Sequence, residues 1–245
     1  MTRLGGTTGR AGRSRRSATG ADGEASRPSR RGPLLDCPVC RAAALRPFSV
    51  VEGKAYRRCD NCEATLLDPA HRLGPAAEHA SYCRHQNDPA DPRYRRFLAR
   101  LAEPLLHRLP AAATVLDYGC GPGPALAAIL REAGHRVSLY DPFFAADRAA
   151  LDGPYDAITC SEVAEHFYQP AVEFDRLHAL LRPGGYLGLM TCFQTDDARF
   201  ATWHYRRDPT HVFFYRESTL RRIALDRGWT IEIPVKDVAI MRKAG

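Results

Sequence analysis

At 245 residues the chain has room for one sizeable core and a small accessory module. Apolar residues make up 44% of it, mean hydropathy is −0.36, and no run reaches the ~18–20 apolar residues of a membrane-spanning helix, which excludes an integral helical membrane protein. The formal charge is +7, but eight arginines against Asp22 and Glu24 place +6 of it in residues 1–32, so the remainder is close to neutral.

In chain order, residues 1–32 are rich in Arg, Gly and Ser with almost no apolar side chain, and read as a disordered basic tail. Such an arm either holds nucleic acid by charge alone or is dispensable. Arginine is the default base here, since lysine occurs only at Lys54, Lys236 and Lys243. No opening stretch has the form of a signal peptide, so a cytoplasmic protein without membrane contact is expected.

Residues 33–66 carry Cys37-Pro38-Val39-Cys40 and, 18 residues later, Cys59-Asp60-Asn61-Cys62. Paired CxxC knuckles at this spacing read as a zinc ribbon, with Cys37, Cys40, Cys59 and Cys62 converging as thiolates on a structural Zn²⁺. Between them, residues 48–51 and 54–58 flank Glu52-Gly53, a short hairpin signal. So small a module buries too little to fold unaided, and the metal would supply its folding free energy. Disulfides are the competing reading, disfavoured in a reducing compartment. Cys83, Cys120, Cys160 and Cys192 lack metal spacing.

Residues 67–91 form a linker or lid segment, with breakers at Asp68-Pro69 and Gly74-Pro75 and a polar-aromatic stretch over 82–87. Asp91-Pro92 then opens a helix whose apolar positions Tyr94, Phe97, Leu98, Leu101, Leu105, Leu106 and Leu109 form one stripe, with a kink expected at Pro104.

Over 92–245 strand-like and helix-like segments alternate. Strands are predicted near 114–118, 136–140, 155–160 and 186–192, with a final pair near 229–235 and 237–242; helices near 124–133, 170–182 and 217–227. This implies a doubly wound, mostly parallel α/β sheet covered on both faces. The run Val115–Gly123 carries Asp117 and then Gly119, Cys120, Gly121 and Gly123 from a strand into a helix. Glycine permits backbone angles and close approaches that a Cβ forbids, and N–H groups at a helix start favour an electron-rich ligand. Asp141 ends the next apolar segment, just before Pro142 and 18 residues after Gly123, where a doubly wound fold presents a carboxylate to a ribose diol. Only 14 residues separate Asp141 from Asp156, too few for a helix and a strand, so the third strand is expected to be reduced or missing.

These segments resemble the class I S-adenosylmethionine-dependent methyltransferases. Val115–Gly123 is similar to their first motif and Tyr140-Asp141 to their acidic second-strand end. Tyr155–His166 resembles their fourth-strand segment, and Leu181–Leu187 the turn that opens their fifth strand; together the four cover roughly residues 92–243. The resemblance implies a Rossmann-like methyltransferase sheet and S-adenosyl-L-methionine as methyl donor. It places Asp117, Gly119, Cys120, Gly121, Gly123, Asp141, Pro142, Ser161 and Glu162 at the cofactor. In related methyltransferases the region ahead of the first motif folds over the cofactor, which makes Tyr82 and His85 lid contacts or else plain linker residues. Phe143 or Phe144 either stacks on the adenine or belongs to the core.

Methyl transfer is an in-line displacement at a sulfonium carbon, so the protein mainly aligns the acceptor and removes its proton. The aromatic, histidine-bearing loop over 200–215 offers His211 as general base, with Tyr205 and Asp208 orienting it or the acceptor. Glu165 and His166 are either catalytic or tie the loop to the following helix. The favoured reading is a methyltransferase acting on O, N or C of a small-molecule acceptor, as in ribbon-bearing methyltransferases of sugar and secondary metabolism. An RNA methyltransferase gripping phosphates with ribbon and arm is the alternative, weakened by the near-neutral remainder. A non-catalytic scaffold comes third, since it has no use for an intact cofactor cradle.

Overall fold

A computed structural model describes residues 35–84 and 87–245; the expected basic tail and His85 lie outside the described residues. In chain order the strands and helices begin with β1 Leu35–Asp36, β2 Ala43–Val51, β3 Lys54–Cys59 and β4 Thr65–Leu67, followed by α1 Pro75–Tyr82 and α2 Pro92–Leu106. Next come β5 Thr114–Tyr118, α3 Ala125–Glu132, β6 Arg136–Tyr140, β7 Tyr155–Ser161, α4 Pro170–Leu180 and β8 Leu181–Met190. The chain closes with β9 Phe213–Phe214, α5 Glu217–Asp226, β10 Thr230–Val235 and β11 Val238–Arg242.

The larger sheet has the order β10-β11-β8-β7-β5-β6. Strands β6, β5, β7 and β8 run parallel, β11 pairs antiparallel with β8, and β10 antiparallel with β11. It is therefore a mixed α/β sheet. Side chains alternate across it with period two. Val115 and Ala157 pack with Leu98, Leu101, Leu105 and Leu130 of α2 and α3, while Leu116 and Ile158 face Phe174 and Leu177 of α4. Asp91 caps α2, its side chain accepting from the Arg93 N–H at 2.8 Å, with Pro92 in the first helical position, where its missing N–H costs nothing. The helix continues through Pro104 in its last turn: the missing N–H removes the one bond to the Arg100 carbonyl, and the His107 N–H beyond it still donates to the Glu103 carbonyl at 3.3 Å.

No strand flanks β6 on its outer side among the described residues; after Asp141 the chain makes a single bridge to Ala145 and a short 3₁₀ turn, Arg148–Leu151. Two local features differ from the sequence expectation. Strand β8 starts at Leu181, not near 186, because Pro183-Gly184-Gly185 forms an irregularity within a continuous strand, with Tyr155 opposite Leu181 and Ala157 already opposite Tyr186. Helix α1 falls within the segment expected as linker or lid: its buried positions are Glu78 and Ser81, so it has no apolar stripe to reveal it.

The smaller sheet, β1-β2-β3-β4-β9, begins in the cysteine-bearing segment and ends in the late loop. The β2–β3 hairpin turns at Glu52 and Gly53, both with positive φ, as a two-residue hairpin requires. β4 pairs antiparallel with β9, Thr65 opposite Phe214 and Leu66 opposite Phe213. One core then runs from Cys37, Tyr56 and Leu66 through Phe200, Phe214 and Tyr215 to Phe174 and Leu116. Among the described residues no helix is long and apolar enough to cross a membrane.

This shared core predicts that Phe214→Ala, which removes a fully buried ring packed edge-on against Phe200, destabilises the whole unit by about 3–5 kcal/mol. Urea unfolding followed by fluorescence should show one transition at a lower midpoint. A separate early transition confined to the cysteine-bearing segment would contradict it.

Candidate functional site

The carboxyl ends of β5, β6 and β7 meet where the sheet order reverses, since the chain leaves β5 for β6 on one side and returns to β7 on the other. There the Gly119 and Cys120 N–H groups both donate to the Tyr140 carbonyl, at 2.7 and 3.3 Å, and lock the turn after β5 to the end of β6. Gly119 and Gly121 have φ of +79° and +64°. A Cβ on Gly119 would lie 2.4 Å from a Val163 methyl, and one on Gly123 would lie 1.7 Å from the Asn87 carbonyl oxygen. The turn thus needs glycine at these positions for backbone angle or for close approach.

A cavity of about 780 Å³ opens at this point, within the ~300–1,000 Å³ usual for small-molecule sites. Of the residues anticipated from sequence, Tyr82, Asp117, Gly119, Cys120, Gly121, Pro142, Asp141, Ser161, Glu162, Asp208 and His211 line it. Phe143 and Phe144 line it too; Phe143 stacks with His79 at 5.3 Å between ring centroids and remains 39% exposed, so its ring has a face to offer. Gly123 and Tyr205 stand behind the wall. Gly123 does so by letting the Asn87 backbone approach, Tyr205 by holding other side chains in place.

Asp141 accepts from the Gly121 N–H through Oδ2 (3.0 Å) and from the Phe143 and Phe144 N–H groups through Oδ1 (2.8 and 3.1 Å). A carboxylate has about four lone-pair directions, so Oδ2 keeps one for a ligand. Asp117 is buried and accepts from the Thr159 hydroxyl at 2.8 Å; burial pushes its carboxyl up to about 6. Glu162 has a φ of +54°, and burial, with repulsion from Glu165, lifts its carboxyl to about 9. Ser161 Oγ is buried beside it with no hydrogen-bond partner among the described residues. Glu78, Asp117, Asp141 and Asp208 line the cavity as acids, beside a Glu162 that burial keeps protonated and a Glu173 that pairs at 2.6 Å with Arg176, the one arginine of the lining. A cavity so lined favours a cationic ligand. The glycine turn, a carboxylate with acceptor capacity to spare, an orphaned hydroxyl and the acidic lining together fit a sulfonium nucleoside.

The other end is built by the late loop. Val212 donates its N–H to the Glu165 carbonyl and its carbonyl accepts from Leu67 N–H, both at 2.9 Å, just before β9 joins β4. Buried Arg58 on β3 donates to Thr65 Oγ1 and to Asp197 of the loop, each at 2.7 Å. These bonds carry His211 to the wall beside His166, with 4.8 Å between ring centroids. His211 Nδ1 donates to the Tyr205 carbonyl at 2.7 Å, and burial holds the ring below the usual imidazole range, so Nε2 carries its lone pair. The buried Glu165 carboxylate accepts from the Tyr205 hydroxyl at 2.5 Å and the Thr191 hydroxyl at 2.9 Å.

Sequence reasoning missed Glu78, Asn87, Tyr94, Glu173 and Arg176 as lining residues. They come from helix faces and the loop before α2, where nothing in local spacing marks them. The cysteines near the cavity are not nucleophiles by environment: burial raises the thiols of Cys120 to about 12 and Cys192 to about 11, and raises that of Cys160 as well.

Away from the cavity, the sulfurs of Cys37, Cys40, Cys59 and Cys62 lie within 4.8 Å of one another, with Cys37–Cys62 at 3.7 Å and Cys40–Cys59 at 3.6 Å. A tetrahedral Zn²⁺ with ~2.3 Å bonds places its sulfurs about 3.8 Å apart. The two knuckles repeat one geometry: Arg41 and Glu63 follow the second cysteine of each with φ of +59° and +60°. Their N–H groups donate to the Cys37 and Cys59 carbonyls at 2.8 and 2.9 Å. All four cysteines are unbridged. The arrangement is compatible with a tetrahedral metal site.

The chain is 34% identical over 113 residues to a ubiquinone biosynthesis O-methyltransferase of Xanthomonas axonopodis pv. citri and 33% identical over 75 residues to one of Azotobacter vinelandii. The matches cover 36% and 31% of this chain, and 47% and 32% of those proteins, so the chain spans less than half the length of either curated relative. Among solved structures, a Burkholderia thailandensis 1,6-didemethyltoxoflavin-N1-methyltransferase, crystallised with 1,6-didemethyltoxoflavin and S-adenosylhomocysteine, is similar in fold at a TM-score of 0.51 and 20% identity, over 82% of this chain and all of that one. The family described as a methyltransferase domain matches residues 83–232, from the end of α1 to β10. That match takes in the glycine turn, Asp141, both cavity histidines and well over half of the chain, and on it the chain belongs to the methyltransferase-domain family.

Proposed function

We propose that this protein transfers a methyl group from S-adenosyl-L-methionine to a small-molecule acceptor. The observation that carries the reading is that a single cavity receives the glycine turn and Asp141 at one end and the His166–His211 pair at the other. The donor supplies an electrophilic methyl on a positively charged sulfur. Asp141 Oδ2 would take one ribose hydroxyl, Gly119–Gly121 would face its amino-acid portion, and Phe143 its base. Ser161 Oγ would regain a partner, and the carboxylate lining would offset the sulfonium charge.

His211 Nε2 presents a lone pair to the acceptor end, and Tyr205 fixes that tautomer through its carbonyl. General-base removal of the acceptor proton is one use of that lone pair. Tyr205 acts as a positioning residue, and Asp208 holds the loop just ahead of His211, its Oδ1 accepting from the Thr210 N–H at 2.8 Å. The named relatives are O-methyltransferases of ubiquinone biosynthesis, and the structural neighbour holds a small heterocycle, both of which support a small acceptor over RNA. The four cysteines would hold structural Zn²⁺. Through β4 that metal would brace the loop that carries His211, which gives residues 33–66 the part of a built-in support and 67–91 that of a lid.

Two variants separate the ends of the site. Asp141→Asn should weaken S-adenosylhomocysteine binding by about 10–100-fold in calorimetry, the loss expected for a charged hydrogen bond. His211→Ala should leave that affinity unchanged while lowering turnover with hydroxylated aromatic acceptors by about 10²–10⁴-fold. Unchanged affinity in the first, or unchanged turnover in the second, would contradict the assignment. For the cysteine cluster, Cys37→Ser should release one zinc per chain by elemental analysis and lower the thermal midpoint; a metal-free, equally stable protein would contradict it.

A further inference from the structure

We infer that Glu165, His166 and His211 form a divalent transition-metal site at the acceptor end of the cavity, whose open positions take an oxygen donor of the acceptor. The inference rests on the reading of the cavity as a methyl-transfer site. The three ligand atoms lie within 4.8 Å of one another, and His166 Nε2 is 3.9 Å from Glu165 Oε1. With bonds of ~2.0–2.2 Å, three ligands on one side of a cation lie about 2.8–3.6 Å apart, so the longest separation has to close by about 1–2 Å and the Glu165–His166 one by less when the ion binds.

Proximity alone would be weak; the surroundings of each group argue further. His166 Nδ1 lies 3.0 Å from the Thr210 carbonyl and His211 Nδ1 2.7 Å from the Tyr205 carbonyl. A carbonyl oxygen only accepts, so each Nδ1 carries the proton and each Nε2 a lone pair. That is how metal-binding imidazoles are held, with the second nitrogen donating to a carbonyl. Glu165 is fully buried, and hydroxyl donors from Tyr205 and Thr191 orient its oxygens, as ligating carboxylates are oriented. A buried carboxylate beside two imidazoles, with no arginine or lysine bonded to it among the described residues, is a poor structural element and a good ligand. His166 and His211 line the cavity, together with the acidic side chains Glu162 and Asp208, and Glu165 stands directly behind them.

Two imidazoles and a carboxylate on one side of an open site suit Mn²⁺, Fe²⁺ or Zn²⁺ and leave positions free. The acceptor class that fits is one with a hydroxyl, or a pair of adjacent oxygens, able to bind the cation. The acceptor O–H bond breaks with its proton passing to solvent water, and the electron pair stays on the oxygen, which the cation stabilises as it lowers the hydroxyl pKa. His211 then serves as ligand and the Lewis acid replaces a general base.

The test is Mn²⁺ titration followed by electron paramagnetic resonance on the full chain with its cysteine cluster first filled with Zn²⁺, alongside S-adenosylhomocysteine binding on the same samples. Expected is one Mn²⁺ per chain, with affinity lowered more than about tenfold in His166→Gln and in His211→Gln while S-adenosylhomocysteine still binds. Should a histidine variant lose S-adenosylhomocysteine as well, Glu165→Gln, close in shape, decides: the same loss of Mn²⁺ supports the site, unchanged Mn²⁺ binding overturns it. Absent Mn²⁺ binding in the wild type, or equal binding in both histidine variants, also overturns it. If the wild type binds no S-adenosylhomocysteine, the proposed function fails, whatever the metal result.

Discussion

Two residues on each side, Thr65 and Leu66 against Phe214 and Phe213, make the pairing on which the acceptor end depends. Strand β9 is too short to hold itself, and it exists because β4 offers it a sheet edge. Val212, next to it, bonds to both Leu67 and Glu165, so the loop is fastened at once to the cysteine-bearing segment and to the turn after β7. His211 precedes that anchor by one residue. Whatever stabilises the small sheet therefore sets the position of an imidazole in the cavity of the large one. The metal proposed at the four cysteines would in this way influence a reaction it never touches.

The two ends of the cavity follow different physics. At the donor end the determinants are backbone: glycines at positive φ, N–H groups shared with the Tyr140 carbonyl, and a carboxylate clamped by three N–H donors. That arrangement is rigid before any ligand arrives, which lowers the ordering cost of binding. At the acceptor end the determinants are side chains fixed by other side chains: Tyr205 and Thr191 on Glu165, and backbone carbonyls on His166 and His211. Such an end can be retuned by loop substitutions without disturbing the cradle.

Much of this was legible in the sequence, and the limits have physical causes. The strand–turn–helix at Val115–Gly123 and the acid at Asp141 were readable because backbone constraints act over few residues and leave glycine and spacing as their trace. The same holds for the CxxC knuckles, the Glu52-Gly53 hairpin and the missing third strand, which was a matter of length alone. Helix α1 was not readable, because its inward residues are Glu78 and Ser81, a polar face turned to a polar cavity. The start of β8 was misplaced because Pro183-Gly184-Gly185 looks like a turn and is a distortion inside a strand. Glu165 and His166 were noticed only as a local pair. Their partnership with His211 comes from a long-range pairing, β4 with β9, that no local spacing encodes.

The central claim is that the cavity holds the donor along the ends of β5, β6 and β7 with its sulfur toward the two histidines. A crystal structure of the complex with S-adenosylhomocysteine tests it most directly. The account predicts a ribose hydroxyl on Asp141 Oδ2 and the sulfur facing the space in front of His166 and His211. A nucleoside bound elsewhere, or in this cavity with its sulfur pointing away from that pair, would contradict it.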